Sequence, residues 1–81
     1  LYHGTVNKFM ASIREKGLIK GTRHHVHLSE TKDTAISVGS RRGKPVILKI
    51  SAKLMHEQGF NFYQSENGVW LTENVPPKFI E

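Results

Sequence analysis

Histidine and arginine are the residues through which this chain can do chemistry. Arg23 is followed by His24, His25 and, after Val26, His27, so three of five histidines and an arginine occupy five consecutive positions. Val26 and Leu28 alternate with His25 and His27, the period-two pattern of a strand. On a strand His25 and His27 share a face with Arg23, and His24, Val26 and Leu28 take the other. Two imidazoles and a guanidinium in a row are costly to bury as core. That face reads as the wall of a polar cleft.

Several chemistries are disfavoured at once. Zinc needs three or four ligands converging in a tetrahedron. Alternation aims only His25 and His27 the same way, with His3 a third ligand only if its own strand lies alongside. There is no HExxH pattern and no cysteine, so a cleft without a metal is the stronger expectation. A hydrolase is equally poorly served: the chain has no GxSxG elbow and no pair of carboxylates placed for acid–base work. Histidine and arginine would have to act by orienting a ligand and stabilising charge.

Two further groups invite a ligand. His3-Gly4-Thr5 lies where a strand passes into a helix. Gly4 permits close approach of a ligand, and the helix N-terminus behind it favours an anion or a polar group. A capping turn with a surface histidine explains the tripeptide nearly as well. Arg41, Arg42 and Lys44 sit in a loop bracketed by glycines and suit a diphosphate, because arginine meets phosphate oxygens with a planar fork. A solvated basic loop is the commoner meaning of such a run. Phe60, Phe62, Tyr63 and Trp70 could stack on bases, but alternating aromatics are more often core.

The elements that must position these residues form one small domain of 81 residues, too short to bury more than about 60% of its unfolded surface. Leu1 to His3 read as a strand stopping at Gly4. Thr5 reads as the N-cap of a helix whose stripe is Val6, Phe9, Met10 and Ile13, closed by Gly17. After the histidine strand at about 24–29, Ser29 or Thr31 caps a shorter helix through Ala35, Ile36 and Val38. Val46 to Ile50 are β-prone and apolar, as in a central strand covered on both faces. Ser51 caps a helix from Ala52 to Glu57. Phe60–Gln64 and Val69–Thr72 read as strands joined across Ser65-Glu66-Asn67-Gly68, and Lys78 to Ile80 as an edge strand beyond Pro76-Pro77. The expectation is an α+β fold of five to six short strands with two to three helices.

Twelve basic against seven acidic residues give a net charge of +5, which favours a polyanionic partner such as RNA or a nucleotide. No apolar run approaches the ~18–20 residues needed to span a bilayer, so no membrane partner is expected. The lack of cysteine suits a reducing compartment. A start at Leu1-Tyr2-His3 without methionine suggests a domain cut from a longer protein.

Four segments together resemble one family: Leu-Tyr-His-Gly-Thr at 1–5, Arg-His-His-Val-His-Leu-Ser at 23–29, Val-Gly-Ser-Arg-Arg-Gly-Lys-Pro-Val-Ile-Leu at 38–48, and Asn-Gly-Val-Trp-Leu-Thr-Glu-Asn-Val-Pro-Pro at 67–77. It is the NAD-dependent RNA 2′-phosphotransferase family, relatives of the tRNA-splicing enzyme. The match spans the chain in order and implies that residues 1–81 are the C-terminal, NAD-binding lobe, with a small ADP-ribosyltransferase-like fold. The N-terminal winged-helix-like lobe of the family would then lie outside this chain.

The resemblance also implies a reaction. An internal RNA 2′-phosphate attacks the nicotinamide-ribose anomeric carbon of NAD, expelling nicotinamide. The ribose 2″-hydroxyl then attacks that phosphate, which frees the RNA 2′-hydroxyl and releases ADP-ribose 1″,2″-cyclic phosphate. Related transferases carry one signature residue on each of three strands; in this family these are His, His and a hydrophobic residue in place of the usual glutamate. They map to His3, to His25 (with His27 competing) and to Val69-Trp70-Leu71, with Val69 preferred.

By the same resemblance Arg23 and His25 are catalytic. His3, Gly4, Thr5, His27, Ser29, Arg41, Arg42 and Val69 contact NAD, which is consumed as co-substrate, and no metal is required. The implied partners are a tRNA-like RNA with an internal 2′-phosphate, NAD and the N-terminal lobe, in a monomeric cytoplasmic enzyme of RNA repair. The family's Arg-His pair and a further arginine belong to that other lobe, so the isolated chain is expected to be inactive. Two alternatives stand: another ADP-ribosyltransferase acting on nucleic-acid ends or small molecules, and a non-catalytic basic RNA-binding module.

Overall fold

A computed structural model describes residues 1–81. The fold is α+β, with β1 (Tyr2–Val6), α1 (Met10–Lys16), β2 (Leu18–Ile19), β3 (Val26–Leu28), α2 (Lys32–Ser40), β4 (Pro45–Lys49), α3 (Ala52–Glu57), β5 (Tyr63–Gln64), β6 (Trp70–Thr72) and β7 (Asn74–Val75). Single 3₁₀ turns cover Asn7–Phe9 and Pro77–Phe79. Seven strands appear where five or six were expected because β2 and β7, two residues each, pair only with each other.

β1 is the organising strand. Along its length it pairs antiparallel with β4, His3 opposite Leu48 and Thr5 opposite Val46. On its other side Tyr2 exchanges two backbone hydrogen bonds with Ser29, at 2.8 and 2.7 Å. That stitch carries the sheet on into β3, which leads through β6 to β5 in a second antiparallel set. β5 and β6 form a hairpin closed at Ser65 and Val69, with Gly68 at φ 80°, the three-residue loop in which glycine takes the left-handed position.

Long-range pairing overrides several local signals. Thr5 is not an N-cap: it lies within β1 and is buried, so the strand does not stop at Gly4 and the helix starts later, at Met10. Five cross-strand pairs to β4 outweigh one capping hydrogen bond. β4 is not a central strand, because its only partner is β1. Thr31, not Ser29, caps α2, its side chain accepting from the Thr34 amide at 3.2 Å. That helix runs through Gly39 to Ser40, beyond the point where the glycine suggested a loop. Ser51 precedes α3 without capping it; its hydroxyl donates to Glu81 at 3.0 Å. The histidine strand is shorter than expected, beginning at Val26. Residues 78–80 form no strand beyond a single bridge from Ile80 to Ile50.

The core lies among Ile13, Leu18, Val26, Leu28, Leu48, Ile50, Met55, Val75 and Phe79. Burying each of the larger ones removes apolar surface from water at a gain of roughly 1.5–3 kcal/mol. Gly4 allows α2 to lie directly on β1: a Cβ there would stand 1.9 Å from the Ala35 carbonyl oxygen. No helix is long and apolar enough to cross a membrane.

Candidate functional site

β3 delivers the histidine cluster. Val26 and Leu28 point into the core at 4% and 0% exposure, and His27 between them is exposed. The alternation read from the sequence thus holds over 26–28, while His24 and His25 lie in the bend before the strand. Two hydrogen bonds then settle the chemistry of two imidazoles. Nδ1 of His3 lies 2.9 Å from the carbonyl oxygen of His27. A carbonyl only accepts, so this nitrogen carries the hydrogen and Nε2 of neutral His3 is left as a bare acceptor. The Arg23 guanidinium lies 3.2 Å from Nδ1 of His27. A guanidinium only donates, so that nitrogen is the acceptor and the His27 hydrogen sits on Nε2. The two rings therefore offer opposite functions, an acceptor on His3 and a donor on His27.

Electrostatics favour the neutral form of both rings. Burial lowers the pKa of His3 below its ordinary 6.5; the bond to the His27 carbonyl raises it, and His27, Arg23 and Arg42 press it down again. His27 is also lowered, first by burial and then by Arg23 and His25. No carboxylate acts on either ring. The centre is built from cations and neutral imidazoles.

Of the residues singled out from the sequence, His3, Arg23 and His27 meet directly, and Arg42 lies close enough to act on His3. Arg42 also reaches over the Phe9 ring at 5.7 Å, with Lys8 at 5.1 Å from the same ring. Arg41 is exposed at the end of α2 and its side chain joins none of these contacts. Thr5 is buried in β1, and Ser29 is held by its backbone to Tyr2. The face of Gly4 that lacks a side chain is occupied by Ala35. His25 packs against Tyr63, ring centroids 5.8 Å apart and tilted by 58°. Val69 stands at the mouth of the hairpin, its amide donating to the Ser65 hydroxyl at 3.2 Å. The hydrophobic residue directly opposite His27 is Leu71.

Tyr63 and Glu30 were not assigned to the site from sequence, and Leu71 was only the less favoured choice beside Val69. Tyr63 and Leu71 come to it through pairing of β5 with β6 and β6 with β3. Glu30 accepts from Trp70 Nε1 at 3.0 Å and from Gln64 Nε2 at 2.6 Å, tying the hairpin to the segment after β3. The Asn67-Gly68 turn, with alternation counted outward from it, was the available signal for Tyr63. No three metal-ligating side chains gather into a group that could hold an ion. A cavity of about 460 Å³ bounded by Leu1, Lys53, Phe62 and Trp70 involves none of the central histidines.

A family model described as RNA 2′-phosphotransferase, Tpt1 / KptA family, matches residues 1–74. The chain belongs to that family. It is similar to a probable RNA 2′-phosphotransferase of Pseudomonas fluorescens, 64% identical over 81 residues, which are all of this chain and 44% of that protein. A protein of the same description from Flavobacterium johnsoniae is 62% identical over 81 residues, again 44% of its length. One from Pectobacterium atrosepticum is 56% identical over 81 residues, 45% of its length. The chain thus spans less than half of each of these RNA 2′-phosphotransferase relatives. The family match covers every element from β1 to the start of β7, and with them the His3, Arg23 and His27 centre.

Proposed function

We propose that this chain is the C-terminal, NAD-binding lobe of an RNA 2′-phosphotransferase. The enzyme moves the internal 2′-phosphate of an RNA onto NAD and releases nicotinamide and ADP-ribose 1″,2″-cyclic phosphate. The observation that carries the reading is the carboxylate-free centre formed by His3, Arg23 and His27. A phosphate oxygen is already a charged nucleophile and needs no general base, and a carboxylate beside it would repel it. Fixed cations attract it and stabilise the charge that shifts during transfer.

The residues present fit the co-substrate. The bare Nε2 of His3 can accept from a ribose hydroxyl, and the Nε2–H of His27 can donate to a phosphate or ribose oxygen. Arg23 performs two tasks, fixing the His27 tautomer and presenting positive charge to the RNA phosphate. Arg42, which lies over the Phe9 ring, would hold the pyrophosphate, with Arg41 beside it at the end of α2. His25 adds a third imidazole beside the RNA, Thr5 lies two residues beyond His3 on β1, Ser29 bridges Tyr2 on the strand's other side, and Leu71 or Val69 supplies the hydrophobic wall. NAD contributes the activated glycosidic bond. The remaining half of the protein supplies further cationic contacts, and the cysteine-free composition suits a cytoplasmic enzyme.

The test is turnover. The full-length protein, given NAD and an RNA oligonucleotide with one internal 2′-phosphate, should form a 2′-hydroxyl RNA and release nicotinamide. Residues 1–81 alone should bind NAD weakly and complete no transfer. Full turnover by the 81 residues, or no NAD-dependent loss of phosphate with the full-length protein, would sink the reading.

A further inference from the structure

Tyr63 is an aromatic residue that the proposed reaction does not use, and its position needs explaining. It is 54% exposed on the outermost strand of its sheet. Its cross-strand partner is Leu71, and Leu71 is in turn opposite His27. Directly opposed residues project from the same face of a sheet, so His27, Leu71 and Tyr63 stand in a row across three strands. At about 4.8 Å per strand the row spans roughly 10 Å. His25 fills the corner between His27 and Tyr63: its charge would act on His27, and its ring lies 5.8 Å from the tyrosine ring.

The other face of the hairpin is anchored. Trp70 and Gln64, themselves cross-strand partners, both donate to Glu30. The Thr72 hydroxyl adds a bond of 2.9 Å to the Asn61 carbonyl. A two-residue strand alone would hold a side chain loosely. Here the tether behind it pre-positions the tyrosine ring, which lowers the ordering cost when something packs on it.

The site therefore has two unlike ends. Beyond His3 lie Arg42, Lys8 and the loop after α2, where positive charge gathers. Beyond His27 lie the half-buried His25 and, packed against it, the exposed ring of Tyr63. A pyrophosphate belongs at the first end, and a flat ring at the second, next to the 2′-phosphate that Arg23 would meet.

We propose that Tyr63 and His25 form a stacking subsite for a nucleobase of the RNA next to its 2′-phosphate. The inference rests on the proposed function, because Arg42 holding the pyrophosphate directs NAD toward the cationic end and leaves the aromatic end to the RNA. Base–aromatic stacking tolerates any base, so the subsite recognises a nucleotide neighbour rather than a sequence.

Steady-state kinetics of the full-length protein test this, with NAD and a short RNA bearing one internal 2′-phosphate. Tyr63→Leu should raise KM for the RNA about tenfold and leave KM for NAD unchanged, while Tyr63→Phe should restore the wild-type value. An RNA with an abasic nucleotide beside the 2′-phosphate should lose the same factor with wild-type enzyme and lose nothing further with Tyr63→Leu. A rise in KM for NAD instead would assign the ring to nicotinamide and overturn the proposal. An unchanged RNA KM, or abasic and Tyr63→Leu losses that multiply, would also overturn it. Wild-type protein inactive on both RNAs would fault the underlying functional reading instead.

Discussion

His3 donates through Nδ1 to the backbone carbonyl of His27 across 2.9 Å, joining residues 24 apart in sequence. The bond sets the tautomer of one histidine of the candidate site by means of the other's main chain. If so, ¹⁵N chemical shifts of the full-length protein should report His3 hydrogen on Nδ1 and His27 hydrogen on Nε2 above pH 7. His3→Ala should cost about 1 kcal/mol of stability and weaken NAD binding by at least about tenfold. Retention of wild-type NAD affinity would remove His3 from the site.

Arg23 acts on His27 at 3.2 Å. Arg23→Ala should lower transfer to about 10⁻² of wild type or less and let the pKa of His27 rise, because a neighbouring positive charge has gone. Arg23→Lys should keep His27 depressed yet recover only part of the rate, since an ammonium lacks the planar fork. NMR titration read beside single-turnover rates separates the two tasks. Equal activity of the lysine variant would show that charge alone suffices.

Stability should fall on mild acidification. The folded-state pKa values of His3 and His27 both lie below the ordinary 6.5, so the unfolded chain takes up protons first as pH drops. The native state holds its full advantage above about 6.5 and loses it progressively between that value and the lowered pKa values. Urea midpoints should be lower at pH 5.5 than at pH 7, and His3→Ala should flatten the difference. A midpoint that rises on acidification would contradict the sign.

Gly4→Ala should destabilise the domain by at least about 2 kcal/mol, because the new Cβ would meet the Ala35 carbonyl at 1.9 Å. Gly17→Ala should do the same for two reasons: its φ is 77°, and a Cβ would lie 2.0 Å from the Val75 carbonyl. Gly21→Ala, at φ 59° with open space around it, bears only the backbone cost and should be the mildest. Thermal melts of the three variants check the order.

Glu30→Ala should free Trp70 and Gln64 together. Indole fluorescence should shift to the red and Tm should fall by about 5 °C. Glu30→Gln, which keeps an acceptor oxygen, should show smaller changes in both. Unaltered tryptophan emission in the alanine variant would mean that the hairpin is held by other contacts.

The sequence on its own carried the ingredients of the site and much of its scaffold. Val26 and Leu28 flanking His27 are enough to say which side chains enter the core, because a strand has a fixed period of two. The Asn67-Gly68 turn likewise announces the β5–β6 hairpin, since few backbones other than glycine accept its φ of 80°. The spacing of the charged residues directed attention to arginine and histidine, since no pair of carboxylates is placed for acid–base work.

Tertiary structure decided everything that depends on partners distant in the chain. Thr5 looks like a cap in isolation and becomes a buried strand residue because β4, some forty residues away, offers a ladder worth more than one capping bond. Val46 to Lys49 look central and prove to have one neighbour, since apolarity measures burial and not the number of paired edges. The tautomers of His3 and His27 follow from which group each Nδ1 meets, a carbonyl for one and a guanidinium for the other. Tyr63 joined the row with His27 only through two successive registers with Leu71. Local pattern sets which way a side chain points along its own element; only packing sets what it points at.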